Sequence, residues 1–255
     1  MRTIDLNFDG GEGCDDAALM PYVTTVNVAC GAHAGDEATM RRAVRLAKVH
    51  GVAVFAHPSY PDREGFGRKA MALPPGEVER LVRKQVEALL AIAEAEGVPL
   101  AGIKPHGGLY HAAARDAAVA RALAEAARRV SPDLILVTSP GSALLSAAKA
   151  LGMHAVAEGF ADRGYNADGS LVARGTKGAL VETSEQAAAQ ALSLAKDGIA
   201  IAVDGTRIPV HVETICLHGD TPGAAANAKA VRGARTEAGF ELRALPGLSI
   251  SPSGE

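Results

Sequence analysis

The feature that most constrains this chain is one short grammar used four times: an apolar run rich in β-formers stops at small residues, and a histidine stands at the stop. It occurs at Val26-Asn27-Val28-Ala29-Cys30-Gly31-Ala32-His33, at Phe55-Ala56-His57-Pro58-Ser59, at Ile103-Lys104-Pro105-His106-Gly107-Gly108 and at Ile215-Cys216-Leu217-His218-Gly219-Asp220. After the first, helical spacing resumes at Met40, Ala43, Val44 and Ala47, with Asp36 placed as a cap. Such alternation predicts a parallel α/β fold, in which strand ends of one polarity share a face. The four histidines are therefore expected to converge although they lie far apart in sequence.

The rest of the chain keeps the same alternation. Thr3 to Phe8 reads as a first strand with a polar, acidic exit through Asp9 and Glu12. Val52 to Ala56 is a third strand, Pro58 to Pro75 a long loop, and Glu77 to Glu96 an amphipathic helix stopped by Gly97. Strands over Ala101–Lys104, Leu134–Val137 and Ala155–Ala157 alternate with helices over Asp116–Val130 and Ser142–Leu151. Phe160 to Glu182 is a polar insertion, and Thr183-Ser184-Glu185-Gln186 is a capping box opening a helix that runs to Asp197. Ile199–Val203 and Ile208–Leu217 have β character around an Asp204-Gly205 turn, and Thr221-Pro222-Gly223 opens the last helix. About seven βα units predict a distorted or incomplete β/α barrel over residues 1–245, with residues 246–255 a partly disordered tail.

Composition removes several classes of function. A net charge of −3 without long basic runs gives no footprint for nucleic acid. No apolar stretch is long enough to cross a bilayer, and the start reaches Asp5 too soon for a signal peptide. Cys14, Cys30 and Cys216 form no close pair, which fits buried thiols in a reducing, cytoplasmic setting. No Walker loop and no G-x-S-x-G elbow occur.

Acid/base or metal-assisted hydrolysis is the chemistry left. His33, His57, His106 and His218 are set apart from His50, His111, His154 and His211, whose settings in helices, strand interiors or ordinary turns are structural. Asp36 has an equally good role as a helix cap. Lys104 ends an apolar strand, so a substrate anion or one of Asp9, Glu12 and Glu158 is expected beside it. Arg163 and Arg174 are placed to clamp an anion. Asp5, Asn7, Asp9 and Glu12 with His33 and His57 offer ligands for a divalent cation, although no H-x-x-x-H spacing occurs.

The motifs taken together resemble the LamB/YcsF family, the A subunits of bacterial 5-oxoprolinase. The resemblance is carried by Asp5-Leu6-Asn7-Phe8-Asp9-Gly10-Gly11-Glu12, Asn27 through Asp36, His57-Pro58-Ser59-Tyr60-Pro61-Asp62 with Gly65-Phe66-Gly67-Arg68, and Lys104 through Tyr110. Glu158 through Tyr165 and Thr214 through Pro222 complete it, with Gly108 standing where the family pattern has Ala. The resemblance implies a barrel related to the deacetylase and glycoside hydrolase barrels. It also implies ATP-dependent opening of 5-oxoproline (pyroglutamate) to L-glutamate together with 5-oxoprolinase subunits B and C, with ATP shared with or used by those partners. On that footing Asp9, Glu12, His33, His57, His106, His218 and Asp220 are the catalytic candidates. Asn7, Asn27, Lys104, Glu158, Arg163 and Arg174 are the substrate-binding ones. Two other readings are a metal-dependent deacetylase-like hydrolase and a non-catalytic, substrate-binding component.

Overall fold

Apolar runs become strands here because helices cover them on one side and other strands flank them. In the computed structural model, which describes residues 2–238 and 240–245, β1 (Arg2–Gly10), β2 (Thr25–Ala29), β3 (Ala53–His57), β4 (Leu100–Ile103), β5 (Ile135–Thr138) and β6 (Ala155–Phe160) pair in order, all parallel. An antiparallel pair, β7 (Ile199–Ile201) and β8 (Arg207–Pro209), stands apart from this sheet. β9 (Thr214–His218) then pairs with β6 on one edge and with Asp5–Asp9 of β1 on the other, closing a barrel of seven strands. β10 (Phe240–Leu242) runs parallel to Arg2–Ile4.

The helices are α1 (Asp16–Leu19), α2 (Glu37–His50), α3 (Pro75–Ala95), α4 (Gly107–Arg115), α5 (Ala117–Val130), α6 (Ala143–Ala150), α7 (Ser184–Leu192) and α8 (Ala224–Ala238). Their starts follow local chemistry. Asp36 accepts from Thr39 N at the head of α2, Asp116 caps α5, Ser142 caps α6, and Thr183 with Gln186 forms the expected capping box on α7.

The expected seven-stranded β/α barrel is observed, and it is closed, because β9 reaches β1. Four other sequence expectations change. The β-prone stretch Ile208–Leu217 is divided: Val210 N bonds to Gly198 O, which holds its first part in the hairpin, and only Thr214 onward joins the barrel. α4 is an additional helix, since its Gly107-Gly108 start carries no helix signal. α8 begins at Ala224, beyond Pro222, because Gly223 takes a φ of +75° that no right-handed helix accommodates. Phe240–Leu242, at the head of a Gly-, Pro- and Ser-rich tail, adds a strand to β1; residues 246–255 lie outside the described residues.

Strand alternation divides polar from apolar. Leu6 and Phe8 face outward into the main core with Val26, Val44 and Leu89, whereas Asp5, Asn7 and Asp9 face into the barrel. The interior also holds a smaller apolar cluster of Ala53, Phe55, Ala101, Ile135, Val137, Val156 and Leu245. Gly102 makes room for it: a Cβ there would lie 2.1 Å from Phe55 Cε1 and 2.4 Å from Ile135 O. Gly102→Ala is expected to destabilise the fold by about 1–3 kcal/mol, measured by urea unfolding.

Candidate active site

Lys104 emerges from β4 into the barrel and is fully buried with its charge. Its Nζ lies 2.9 Å from Asp9 Oδ1, 2.9 Å from Glu158 Oε1, 3.0 Å from Cys216 Sγ and 3.3 Å from Asn7 Oδ1. An ammonium has three hydrogens, so all are used within the protein. Burial works against this charge, but Asp9, Cys216 and Glu158 outweigh it and hold the pKa well above the usual lysine value. Of the anions expected beside Lys104, Asp9 and Glu158 are there and Glu12 is not among its partners. Lys104 therefore fixes Asp9 rather than a substrate anion.

Asn7 and Asn27 also turn inward. Asn7 donates to Glu158 Oε1 and Thr214 Oγ1, and Asn27 donates to Asn7 Oδ1 and Asp9 Oδ1. Asp5 accepts from the hydroxyls of Thr24, Thr25 and Thr214, which removes it and Asn7 from the ligand set that the sequence suggested. These groups, with Glu158, support the site from behind and do not line its cavity.

Three histidines and two acids meet in front of them. His57 Nδ1 donates to Lys104 O at 2.6 Å, leaving Nε2 to face His106 Nδ1 at 3.0 Å, Asp9 Oδ2 at 3.4 Å and Glu12 Oε1 at 3.7 Å. His106 Nε2 donates to Phe66 O at 2.8 Å, leaving Nδ1 to face Glu12 Oε1 at 3.3 Å. His33 lies between Ser59 Oγ, 2.9 Å from Nδ1, and Glu12 Oε1, 2.8 Å from Nε2. Its ring stacks on His106 with centroids 3.9 Å apart.

The charges follow from burial and neighbours. Desolvation and the positive charge of His57 push His33 and His106 down to about 3, so both are neutral. Desolvation opposes protonation of His57 too, yet Asp9 and Glu12 overcome it and raise its pKa. Asp9 is held well below the usual carboxylate value against burial by His57 and Lys104. Burial raises Glu12.

His218, the fourth predicted histidine, reaches the same cavity by a separate route. Asp162 accepts from His218 N, from Thr221 Oγ1 and from His218 Nδ1 at 3.0 Å, which leaves His218 Nε2 free. The cavity, about 220 Å³, is lined by Asp9, His57, Lys104, His106, Tyr110 and His218, with Arg68, Arg163 and Arg174 at its wall. Arg163 is a brace: Nε donates to Ala179 O and Nη2 to Val172 O. Arg174 and Arg68 share Asp220 Oδ2, at 3.4 Å and 2.6 Å, so Asp220 is a mouth ion-pair partner. Buried Tyr110 Oη has no hydrogen-bond partner among the described residues.

Sequence reasoning passes over Arg68, Tyr110, Asp162 and Ser59 as contributors. Asp162 carries a signal, an acid just past a strand in a motif already quoted. Tyr110 carries none, because the helix that aims it is not legible. A Cβ on Gly108 would lie 2.6 Å from Lys69 O, so the family's usual Ala requires the Lys69 backbone to shift in this chain.

A model of the LamB/YcsF family matches residues 4–249. The chain is 49% identical to the A subunit of 5-oxoprolinase from Chloroflexus aggregans over 95% of this chain and 99% of that relative. It is likewise 49% identical to the corresponding 5-oxoprolinase component of Methylococcus capsulatus, over 96% and 97%. Among solved structures, the lactam utilization protein of Thermus thermophilus superposes with a TM-score of 0.89 at 43% identity, covering 96% of this chain and all (100%) of that one. The catalytic domain of a peptidoglycan N-acetylglucosamine deacetylase from Eubacterium rectale shares the fold at a TM-score of 0.53 and 13% identity, over 99% and 93%.

Two outcomes test this geometry. Lys104→Met leaves the buried carboxylates of Asp9 and Glu158 without their cation and is expected to cost about 3–5 kcal/mol in urea unfolding. Asp162 is held below its ordinary 3.8, since His218 and Thr221 outweigh burial. A depressed carboxyl stabilises above its unfolded pKa and loses that contribution as pH falls through the folded one. Asp162→Asn is therefore expected to unfold at a lower temperature than the parent at pH 7, with the gap closing below about pH 4.

Proposed function

The chain belongs to the LamB/YcsF family, and from that premise we propose that it is the A component of a 5-oxoprolinase, opening the ring of 5-oxoproline to L-glutamate with ATP and two partner subunits, B and C. The observation that carries the reading is the cavity itself, which joins the Asp9–His57 pair to the Asp162–His218 pair under two arginines. The names of its relatives and the lactam utilization protein of Thermus thermophilus support the choice of a cyclic amide. A five-membered lactam is a stable amide, and phosphorylation of its oxygen would make the carbon open to water. This chain has no Walker loop, so ATP is placed with, or shared with, the partners.

In this mechanism Asp9 Oδ2, the oxygen not taken by Lys104 and Asn27, receives the proton of the attacking water. Lys104 keeps Asp9 anionic until water arrives. The water oxygen bonds to the phosphorylated carbonyl carbon and the C–N bond breaks. The departing ring nitrogen takes the water's proton from Asp9 by way of His218 Nε2, whose Nδ1–H is committed to Asp162. A second water then releases phosphate from the resulting acyl phosphate to leave L-glutamate. Tyr110 Oη, with no partner among the described residues, donates to the substrate. Arg68 and Arg174 exchange Asp220 for the substrate carboxylate.

The test is glutamate release by the assembled three-subunit enzyme with ATP. Asp9→Asn and His218→Ala are each expected to lower turnover by about 10²–10⁴-fold while the chain stays folded by circular dichroism. Unchanged turnover in folded variants would make this chain a binding component rather than the site of hydrolysis.

A further inference from the structure

In the cluster in front of Asp9, His57 Nδ1–H and His106 Nε2–H are both committed to backbone carbonyls, so their remaining ring nitrogens face each other across 3.0 Å, beside the carboxylate of Glu12. A proton on His57 Nε2 satisfies this pair, and a metal ion does so as well. Something positive belongs between them.

We infer that His57 Nε2, His106 Nδ1 and Glu12 Oε1 hold a divalent cation of the zinc type, with a fourth position open to the cavity. The inference uses the same cavity as the proposed reaction but does not depend on which amide is opened. Donors about 2.0–2.1 Å from a tetrahedral ion are about 3.3–3.4 Å from one another. The three observed separations are 3.0, 3.3 and 3.7 Å, which bracket that edge. Both imidazoles have their outer nitrogen fixed by a carbonyl, the arrangement that orients metal-binding histidines. His57 and His106 line the cavity, as does Asp9, whose Oδ2 lies 3.4 Å from His57 Nε2. Three protein ligands with one position left to solvent is the pattern of a catalytic rather than a structural site.

Charge agrees. Lys104 answers Asp9 and Glu158, and the buried carboxyl group of Glu12 lies beyond it, against His57 and His106. A dication between these rings and Glu12 balances the surplus of acid. His33 is not a ligand in this assignment although its Nε2 is near, because it stacks on His106 with ring planes 4° apart. An imidazole lone pair lies in the ring plane, and two stacked parallel rings do not aim at one ion. His33 instead holds Glu12 in place through its Nε2.

The experiment uses the full chain without partners or substrate. After chelation and dialysis, Zn²⁺ or Co²⁺ is added back, and bound metal is counted per chain while the visible spectrum of Co²⁺ reports coordination number. One ion per chain with a four-coordinate Co²⁺ spectrum is expected. His106→Ala and Glu12→Gln should each lose stoichiometric binding, His33→Ala should weaken it by about 10–100-fold, and His50→Ala on the surface should leave it unchanged. Circular dichroism establishes that each variant is folded. The wild-type chain provides a second measure, a melting temperature that rises with added Zn²⁺. Absence of stoichiometric binding to the wild-type chain, or binding that survives both ligand substitutions, overturns the inference. Proton sharing among the rings then accounts for the cluster, and hydrolysis by Asp9 and His218 is untouched by that result.

Discussion

The buried ammonium of Lys104 ties three strands of this barrel together. Lys104 joins β1 through Asn7 and Asp9, β6 through Glu158 and β9 through Cys216, so a single side chain spans the interior. Burying ions is expensive, and such a group is tolerated only when its partners are complete. Lys104 also acts through its backbone, since its carbonyl accepts the His57 Nδ1 proton and sets which nitrogen of that ring faces the cavity. The charge on Asp9 and the tautomer of His57 thus have one origin.

The loop between β3 and α3 closes the cluster from outside. Phe66 adopts a φ of +54°, a conformation costing roughly 1–3 kcal/mol for a residue with a side chain. In that conformation its carbonyl meets His106 Nε2 and its ring packs edge-on against both His33 and His106. Gly67 follows with a φ of +65°, and a Cβ there would lie 2.8 Å from His33 Cβ and 2.9 Å from His106 Cδ2. The histidines are stacked and nearly dry because this turn can lie directly on them.

Strand and helix periodicity was legible because it reports burial on one side of each element. The convergence of His33, His57, His106 and His218 was legible because parallel topology leaves their exits no other place to go. Partner choice was not. Lys104 reads equally as a substrate clamp or as an internal counterion, and only the three-dimensional count of its hydrogens decides. Arg163 and Arg174 look alike in sequence, yet one is spent on the carbonyls of Val172 and Ala179 while the other reaches the mouth. Asn7 and Asn27 sit inside the first motifs but serve Asp9 and Glu158, a distinction between first contact and support that spacing does not carry.

Closure of the ring by β1 and β9 has a consequence for how the molecule is made. Thr214 and Asp5, hydrogen-bonded across that seam, are 209 positions apart, so β1 keeps this edge bare until β9 has been synthesised. Contacts of such long range are slow to form, and an unmatched β edge invites other chains. Asp9 and His218, neighbours in register across the seam, come together only once that late pairing has formed.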